Sequence, residues 1–253
     1  MLRHRVIPCL LLDDGNLVKT TRFRSAKYVG DPINAIRIFN EKEVDELILL
    51  DITATRMSRP PNFDLIEQIA GECFMPLTYG GGVTSIEQAQ RLFSLGVEKI
   101  CLQTGVLNEL SLITNIAEKY GSQSVVVSID VKKSYFRGYV RTSHAGQKVK
   151  NQDWKDYIYR VIKAGAGEIM LTAVDKDGTL SGMNLELIQQ ASTICSIPLI
   201  ACGGASSLGD LKAAVRAGAS AIAAGAMFIY QGPHRAVLLS YPDYQELISL
   251  LDN

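Results

Sequence analysis

Apolar residues fall in short, nearly unbroken runs along the chain, separated by stretches of helical periodicity. The runs are RVIPCLLL (5–12), ELILLDI (46–52), PLTYG (76–80), EKICLQ (98–103), SVVVSID (124–130), EIMLTAV (168–174), PLIACG (198–203) and SAIAAG (220–225). A strand that is apolar at successive positions is buried on both faces, which is the habit of a parallel sheet covered by helices. Helix limits are legible too. Asp31-Pro32 offers an N-cap followed by proline at the first helical position. TSIE at 84–87 reads as a capping box, with Thr84 as the cap and Glu87 three residues later. AGAGE at 164–168 and RAGAS at 216–220 put glycine where a helix should stop. Eight strand–helix units predict an α/β fold, a (β/α)8 barrel. A doubly wound open sheet is the other arrangement such alternation allows, but no GxGxxG follows the first strand.

The pattern also recurs at a fixed offset. DELILLDI parallels GEIMLTAV, MPLTYGGG parallels IPLIACGG, and GVEKI parallels GASAI; Glu46 and Glu168, Pro76 and Pro198, Gly96 and Gly218 are each 122 apart. The expected organisation is one domain over 1–253, made of two similar half-barrels at about 1–122 and 123–253. Strand five then answers to strand one. Laying VVSIDVKK beside PCLLLDDG sets Asp130 opposite Leu11.

Composition narrows the function classes. The chain has 26 basic and 26 acidic residues, which gives no electrostatic reason to expect nucleic acid or an acidic membrane as partner. The opening MLRHRVIPCLLLDDG has a short apolar run ending at Asp13 and Asp14, and is expected to be neither signal peptide nor spanning helix. Cys9, Cys73, Cys101, Cys195 and Cys202 are scattered without a CxxC pair, so buried free thiols are expected rather than disulfides. Three histidines without ligand spacing point away from a metal site, and nothing implies a cofactor. The expected location is the cytoplasm.

The site of such a barrel lies at the carboxyl ends of its strands. Gly81 and Gly82 follow strand three, Thr104 and Gly105 strand four, Gly203 and Gly204 strand seven, and Gly225 and Ala226 strand eight. Such turns let backbone N–H groups converge on an anion, so each half supplies one candidate phosphate cradle, and the pair suits an elongated ligand with a phosphate at each end. The alternative is that these glycines only allow tight turns. Asp51, Asp130 and Asp175 end strands, and Asp177 follows in DKDGT. A carboxylate there serves acid–base chemistry if desolvated, or else caps a helix or pairs with a loop lysine. At the opposite end, Arg5, Glu46, Lys99 and Glu168 stand at or near strand starts, where they either close a ring of salt bridges across the axis or merely solubilise strand ends.

Taken with IPCL, VGDP, DELILLDITAT, PLTYGGGV, YGSQSVVVSID, GAGEIMLTAVDKDGT and IPLIACGGASSL, these residues resemble the cyclase subunit of imidazole glycerol phosphate synthase, over essentially the whole chain. The resemblance implies a duplicated (β/α)8 barrel, a bisphosphate ligand, and a glutamine amidotransferase subunit at the bottom as heterodimer partner. It also implies an ammonia gate at Arg5, Glu46, Lys99 and Glu168, and site roles at the mouth for Lys19, Asp51, Thr172, Asp175 and Asp177.

One departure is large. The family's two acid–base residues map to Asp130 and to position 11, where this chain has leucine. Losing a positioned acid–base group typically costs about 10²–10⁴-fold in rate. Gln103 also replaces a usual asparagine, Leu180 a common lysine, and RFRSAKYVGDP diverges from the usual first loop. An intact gate with a damaged centre resembles the paralogues associated with surface-polysaccharide sugar amidation. That implies a barrel relaying ammonia from the glutaminase to a sugar amidotransferase for lipopolysaccharide biosynthesis. The alternatives are an active cyclase, a lyase of histidine biosynthesis that works without an acid at position 11, and a scaffold barrel that conducts nothing.

Overall fold

The computed structural model describes residues 4–135, 138–143, 147–148 and 153–251. In chain order the elements are β1 (Arg5–Asp13), β2 (Asn16–Thr21), β3 (Arg24–Gly30), α1 (Pro32–Glu41), β4 (Leu47–Asp51), α2 (Ile52–Arg56), α3 (Phe63–Glu72), β5 (Leu77–Gly80), α4 (Ile86–Ser94), β6 (Lys99–Leu102), α5 (Ser111–Tyr120), β7 (Val125–Ser134), β8 (Gly138–Ser143) and β9 (Gln147–Lys148). They continue with α6 (Trp154–Lys163), β10 (Glu168–Ala173), α7 (Leu185–Ser192), β11 (Leu199–Cys202), α8 (Leu208–Arg216), β12 (Ala221–Ala224), α9 (Ala226–Ile229), β13 (Tyr230–Gln231), β14 (Ala236–Val237) and α10 (Tyr244–Leu251). One-turn 3₁₀ helices cover Thr104–Val106 and Ser122–Ser124.

Eight of these strands pair in parallel and close on themselves in the order β1-β4-β5-β6-β7-β10-β11-β12, with β12 returning to β1. This is the (β/α)8 barrel expected from the apolar runs, and the open doubly wound sheet is excluded by the closure. Each expected strand lies within two residues of its observed limits, except that β7 runs on to Ser134. That extension pairs antiparallel with β8, and β2 and β3 form a second hairpin attached to β1.

The alternation along β1 explains how a continuous apolar run builds two cores. Val6, Leu10 and Leu12 belong to the large cluster between the sheet and its helices, whereas Ile7 and Cys9 belong to a smaller one inside the barrel with Ile48, Cys101, Met170 and Cys202. Successive side chains point to opposite faces, so Arg5, Ile7, Cys9 and Leu11 climb the inner wall, about 20 Å from end to end. The helices cover the outside by amphipathic packing. In α1 the Asp31 carboxylate accepts the Asn34 N–H at 2.9 Å, Pro32 occupies the first turn, and Ile36 and Phe39 are fully buried. Burial of each such side chain contributes about 1.5–3 kcal/mol.

The cap of α4 falls one residue later than the TSIE motif implied. Ser85 is the N-cap and its hydroxyl accepts the Gln88 N–H, while Thr84 is held through the Gln88 side-chain oxygen. Two adjacent hydroxyl residues competed for one position, and the one with extended backbone took it. A capping box does form at α8, between Ser207 and Asp210. The glycines expected to stop α6 and α8 do so, with Gly165 at φ 109° and Gly218 at φ 105°. All five cysteines are free, with Cys9, Cys101 and Cys202 buried. Among the described residues no helix is long and apolar enough to cross a membrane, and no cluster of three or more metal-capable side chains occurs.

Candidate functional site

At the amino end of the barrel the four charged residues form one closed circuit. Glu46 accepts from Arg5 at 2.5 Å and from Lys99 at 3.0 Å; Glu168 accepts from Lys99 at 3.0 Å and from Arg5 at 3.2 Å. The charges alternate round the axis, so each is flanked by two of opposite sign. Glu46 is the most buried of the four and also accepts the Thr78 hydroxyl at 2.9 Å. Burial disfavours the charge on Arg5, but the Glu168 and Glu46 carboxylates outweigh it and hold the guanidinium above its ordinary value. The ring, rather than independent strand-end charges, is the arrangement found. Thr78 was missed at the sequence level; the signal was a buried threonine at an inward position of PLTYG.

At the carboxyl end, Asp130 ends the inner face of β7 at 6 % exposure. Burial pushes its carboxyl up to about 7, against the opposing hydrogen bond from the Gln103 amide, and Asp177 raises it further. Thr172 is buried and lies beside Asp130 in register on β10. Position 11 stands four strands away round the wall. Leu11 is in register with Leu50 on β4 and with Val18 on β2, so its surroundings are apolar.

The two aspartates after Leu11 are engaged elsewhere. Asp13 accepts from the Thr53 hydroxyl and the Arg56 guanidinium, both at 2.5 Å, and Asp14 pairs with Arg59. Neither replaces an acid at position 11. Asp51 caps α2, accepting the N–H groups of Thr53 at 2.8 Å and Ala54 at 3.0 Å, and burial raises its pKa. Asp175 accepts the backbone N–H of Lys133 at 2.6 Å, joining the β10 loop to the top of β7. Both carboxylates border the mouth while holding local structure.

Lys19 lies at 5 % exposure on β2, with its ammonium 2.9 Å from Asp177. The Thr20 hydroxyl also donates to Asp177, and the Arg22 N–H donates to the Asp177 carbonyl. The β2–β3 hairpin is thereby fastened to the loop after β10. Gln103 and Arg22, neither marked as a site residue by sequence patterns alone, complete the mouth.

The glycine turns follow the strands as the sequence placed them. Asp177, Leu180, Gly203, Gly204, Gly225 and Ala226 line one small open cleft. Gly81, Gly82, Thr104 and Gly105 lie at the ends of β5 and β6. Steric demand accounts for glycine at both places. A Cβ on Gly81, at φ 127°, would lie 2.4 Å from the Asp51 carbonyl oxygen; one on Gly203, at φ 101°, would lie 2.7 Å from that of Ala173. Close loop packing therefore requires these glycines with or without an anion.

Comparison with known proteins agrees with this geometry. The profile described as "Histidine biosynthesis protein" matches residues 5–234. The chain is 52 % identical over 248 residues to the "Putative imidazole glycerol phosphate synthase subunit hisF2" of Pseudomonas aeruginosa, covering 98 % of this chain and 99 % of the relative. It is 47 % identical over 245 residues to the "Putative imidazole glycerol phosphate synthase subunit HisF" of Leptospira borgpetersenii, covering 96 % of each. It is 41 % identical over 228 residues to the "Imidazole glycerol phosphate synthase subunit HisF" of Dictyoglomus thermophilum, covering 90 % of each. A closed eight-stranded barrel, a four-charge ring at one end and a glycine-lined mouth at the other thus occur in a chain that belongs to the histidine biosynthesis protein family, as a homologue of the HisF-type subunits of imidazole glycerol phosphate synthase.

Proposed function

We propose that this barrel receives ammonia from a glutamine amidotransferase docked on its amino-end face, passes it inward at Arg5, Glu46, Lys99 and Glu168, and releases it at the mouth to a sugar amidotransferase of polysaccharide biosynthesis. The observation that carries the reading is the contrast between the two ends of β1. Arg5 sits in a complete circuit of four ion pairs. Leu11, at the other end, faces the mouth among Leu50 and Val18, with Asp13 and Asp14 engaged elsewhere. Between them the wall is mostly apolar, with Ile7, Cys9, Ile48 and Met170, and with Ser128 beside Met170 as a buried hydroxyl. A neutral small molecule crosses such an interior more readily than an ion, because desolvating a charge is costly.

Chemistry at the mouth needs a proton donor and a proton acceptor on either side of the reacting group. Asp130, held near neutrality and contacted by Gln103, can fill one role. A leucine at position 11 fills neither. In this reading the glycine turns at Gly81, Gly82, Thr104 and Gly105, and at Gly203, Gly204, Gly225 and Ala226, are retained cradles able to hold phosphate. The chain acts as one cytoplasmic domain of two halves; Ser85 and Ser207 capping equivalent helices at the same offset of 122 support that organisation.

The test is a cyclase assay on the bisphosphate substrate with saturating ammonium, which dispenses with the glutaminase. Wild type should turn over at least about 10²-fold more slowly than Leu11→Asp. Efficient turnover by the wild type would overturn the conduit reading in favour of an active cyclase. With the glutaminase present, Lys99→Ala should change ammonia delivery; unchanged delivery would favour a scaffold.

A further inference from the structure

We infer that the free edge of β3 is a docking strand for an extended acidic segment of the protein that takes up the ammonia released at the mouth; this rests on the reading above. Among the described residues β3 pairs with β2 and with no other strand. Residues 24–28 are all exposed, and Tyr28 shows 66 % of its surface. Ser25, at φ 54°, interrupts the extended run, so the regular edge runs from Ala26 to Gly30, about 16 Å of main-chain donors and acceptors and enough for a short strand addition.

The charges on this edge are one-sided. Lys19, Arg22, Arg24 and Lys27 follow one another from β2 into β3 without an acidic residue from 16 to 30. Lys19 is spent on Asp177, and Arg22 donates to the Asp175 carbonyl. Among the described residues, Arg24 and Lys27 make no ion pair. Charged edges and irregular register are common devices against edge-to-edge aggregation, and the β2–β3 register does shift. Those devices repel a second copy, which would set cation against cation. They do not repel a strand of opposite charge, for which the same residues become the attraction.

Position makes the edge useful. The hairpin is fastened beside the mouth by Lys19, Thr20 and Arg22, so the strand is already rigid before anything binds. A partner paired there would hold its own site next to the barrel opening.

Fluorescence anisotropy with a short labelled peptide of alternating Glu and Val tests the inference on the full chain, without glutaminase or acceptor. The peptide should bind in low salt, slow amide exchange across 24–30, and lose about tenfold in affinity in Arg24→Glu/Lys27→Glu. The milder Lys27→Gln should fall between, and circular dichroism reports whether either variant is folded. A peptide of the same sequence N-methylated at alternate residues should fail to bind. Equal binding of the methylated peptide, exchange protection elsewhere, tighter binding of duplex DNA, or dimerisation through β3 would each overturn the inference. None of these results touches the ammonium assay, so the two readings fail separately.

Discussion

Asp130→Asn should make the protein more stable at pH 8 and leave it nearly unchanged at pH 4. In the folded chain the Asp130 carboxyl is raised from 3.8 to about 7, chiefly by burial. Below pH 4 it carries its proton both folded and unfolded, so the substitution alters little. Between pH 4 and 7 the unfolded chain releases that proton while the folded chain keeps it. The unfolded state then binds fewer protons, and stability falls as pH rises. Above pH 7 both states are ionised and the penalty is constant. At about 1.4 kcal/mol per pH unit, the full difference is about 4 kcal/mol, an upper figure that relaxation and water entry reduce. Asparagine keeps the shape and still offers an oxygen to the Gln103 amide. Urea midpoints for both proteins, measured from pH 4 to pH 8.5, give the difference curve, in which other titrating groups cancel. The curve should climb through pH 5–7 and flatten above it. A flat difference curve, or one showing the variant less stable at high pH, would refute the assignment of Asp130 as a buried acid poised near neutrality.

Glu46→Gln retains the Thr78 contact but leaves Arg5 and Lys99 to share Glu168; loss of about 2 kcal/mol is expected by chemical denaturation, and no change would mean that the ring is held from elsewhere. Gly81→Ala places a methyl 2.4 Å from the Asp51 carbonyl oxygen at positive φ and should cost about 2 kcal/mol or more in a thermal melt. Gly71→Ala, in α3 with nothing within 4 Å, is the control and should stabilise by about 0.5–1 kcal/mol. Lys19→Met removes the fastening to Asp177, so trypsin should cut after Arg22 and Arg24 many times faster; an unchanged rate would show that backbone contacts alone hold the hairpin.

The barrel was legible because a strand buried on both faces has few ways to be written, and β4, β11 and β12 are written in nothing but apolar residues ahead of their ends. The β2–β3 hairpin was not. Lys19 and Thr20 are polar yet buried, and Arg24 to Tyr28 are exposed throughout, so no alternation marks the strands. What orders the hairpin is its contact with Asp177, more than 150 residues away in sequence. Asp51 shows a different limit. A strand-end carboxylate at a barrel mouth and a helix N-cap are the same residue in the same place, and only the Thr53 and Ala54 N–H groups reveal the second duty. Leu11 was the reverse case: a side chain whose importance could be read only against the aspartate on the repeat's other strand.

β1 changes neighbours halfway along. Arg5 to Pro8 pair with β12, whereas Leu11 to Asp13 pair on that same side with β2. Only three registers therefore join the hairpin to the barrel wall, and the seam that closes the cylinder ends below them. The hairpin can open apart from the cylinder only when those registers and its fastening to Asp177 release together, while the cylinder stays shut. Amide exchange should then fall into two classes along this one strand, slow where β1 faces β12 and fast where it faces β2.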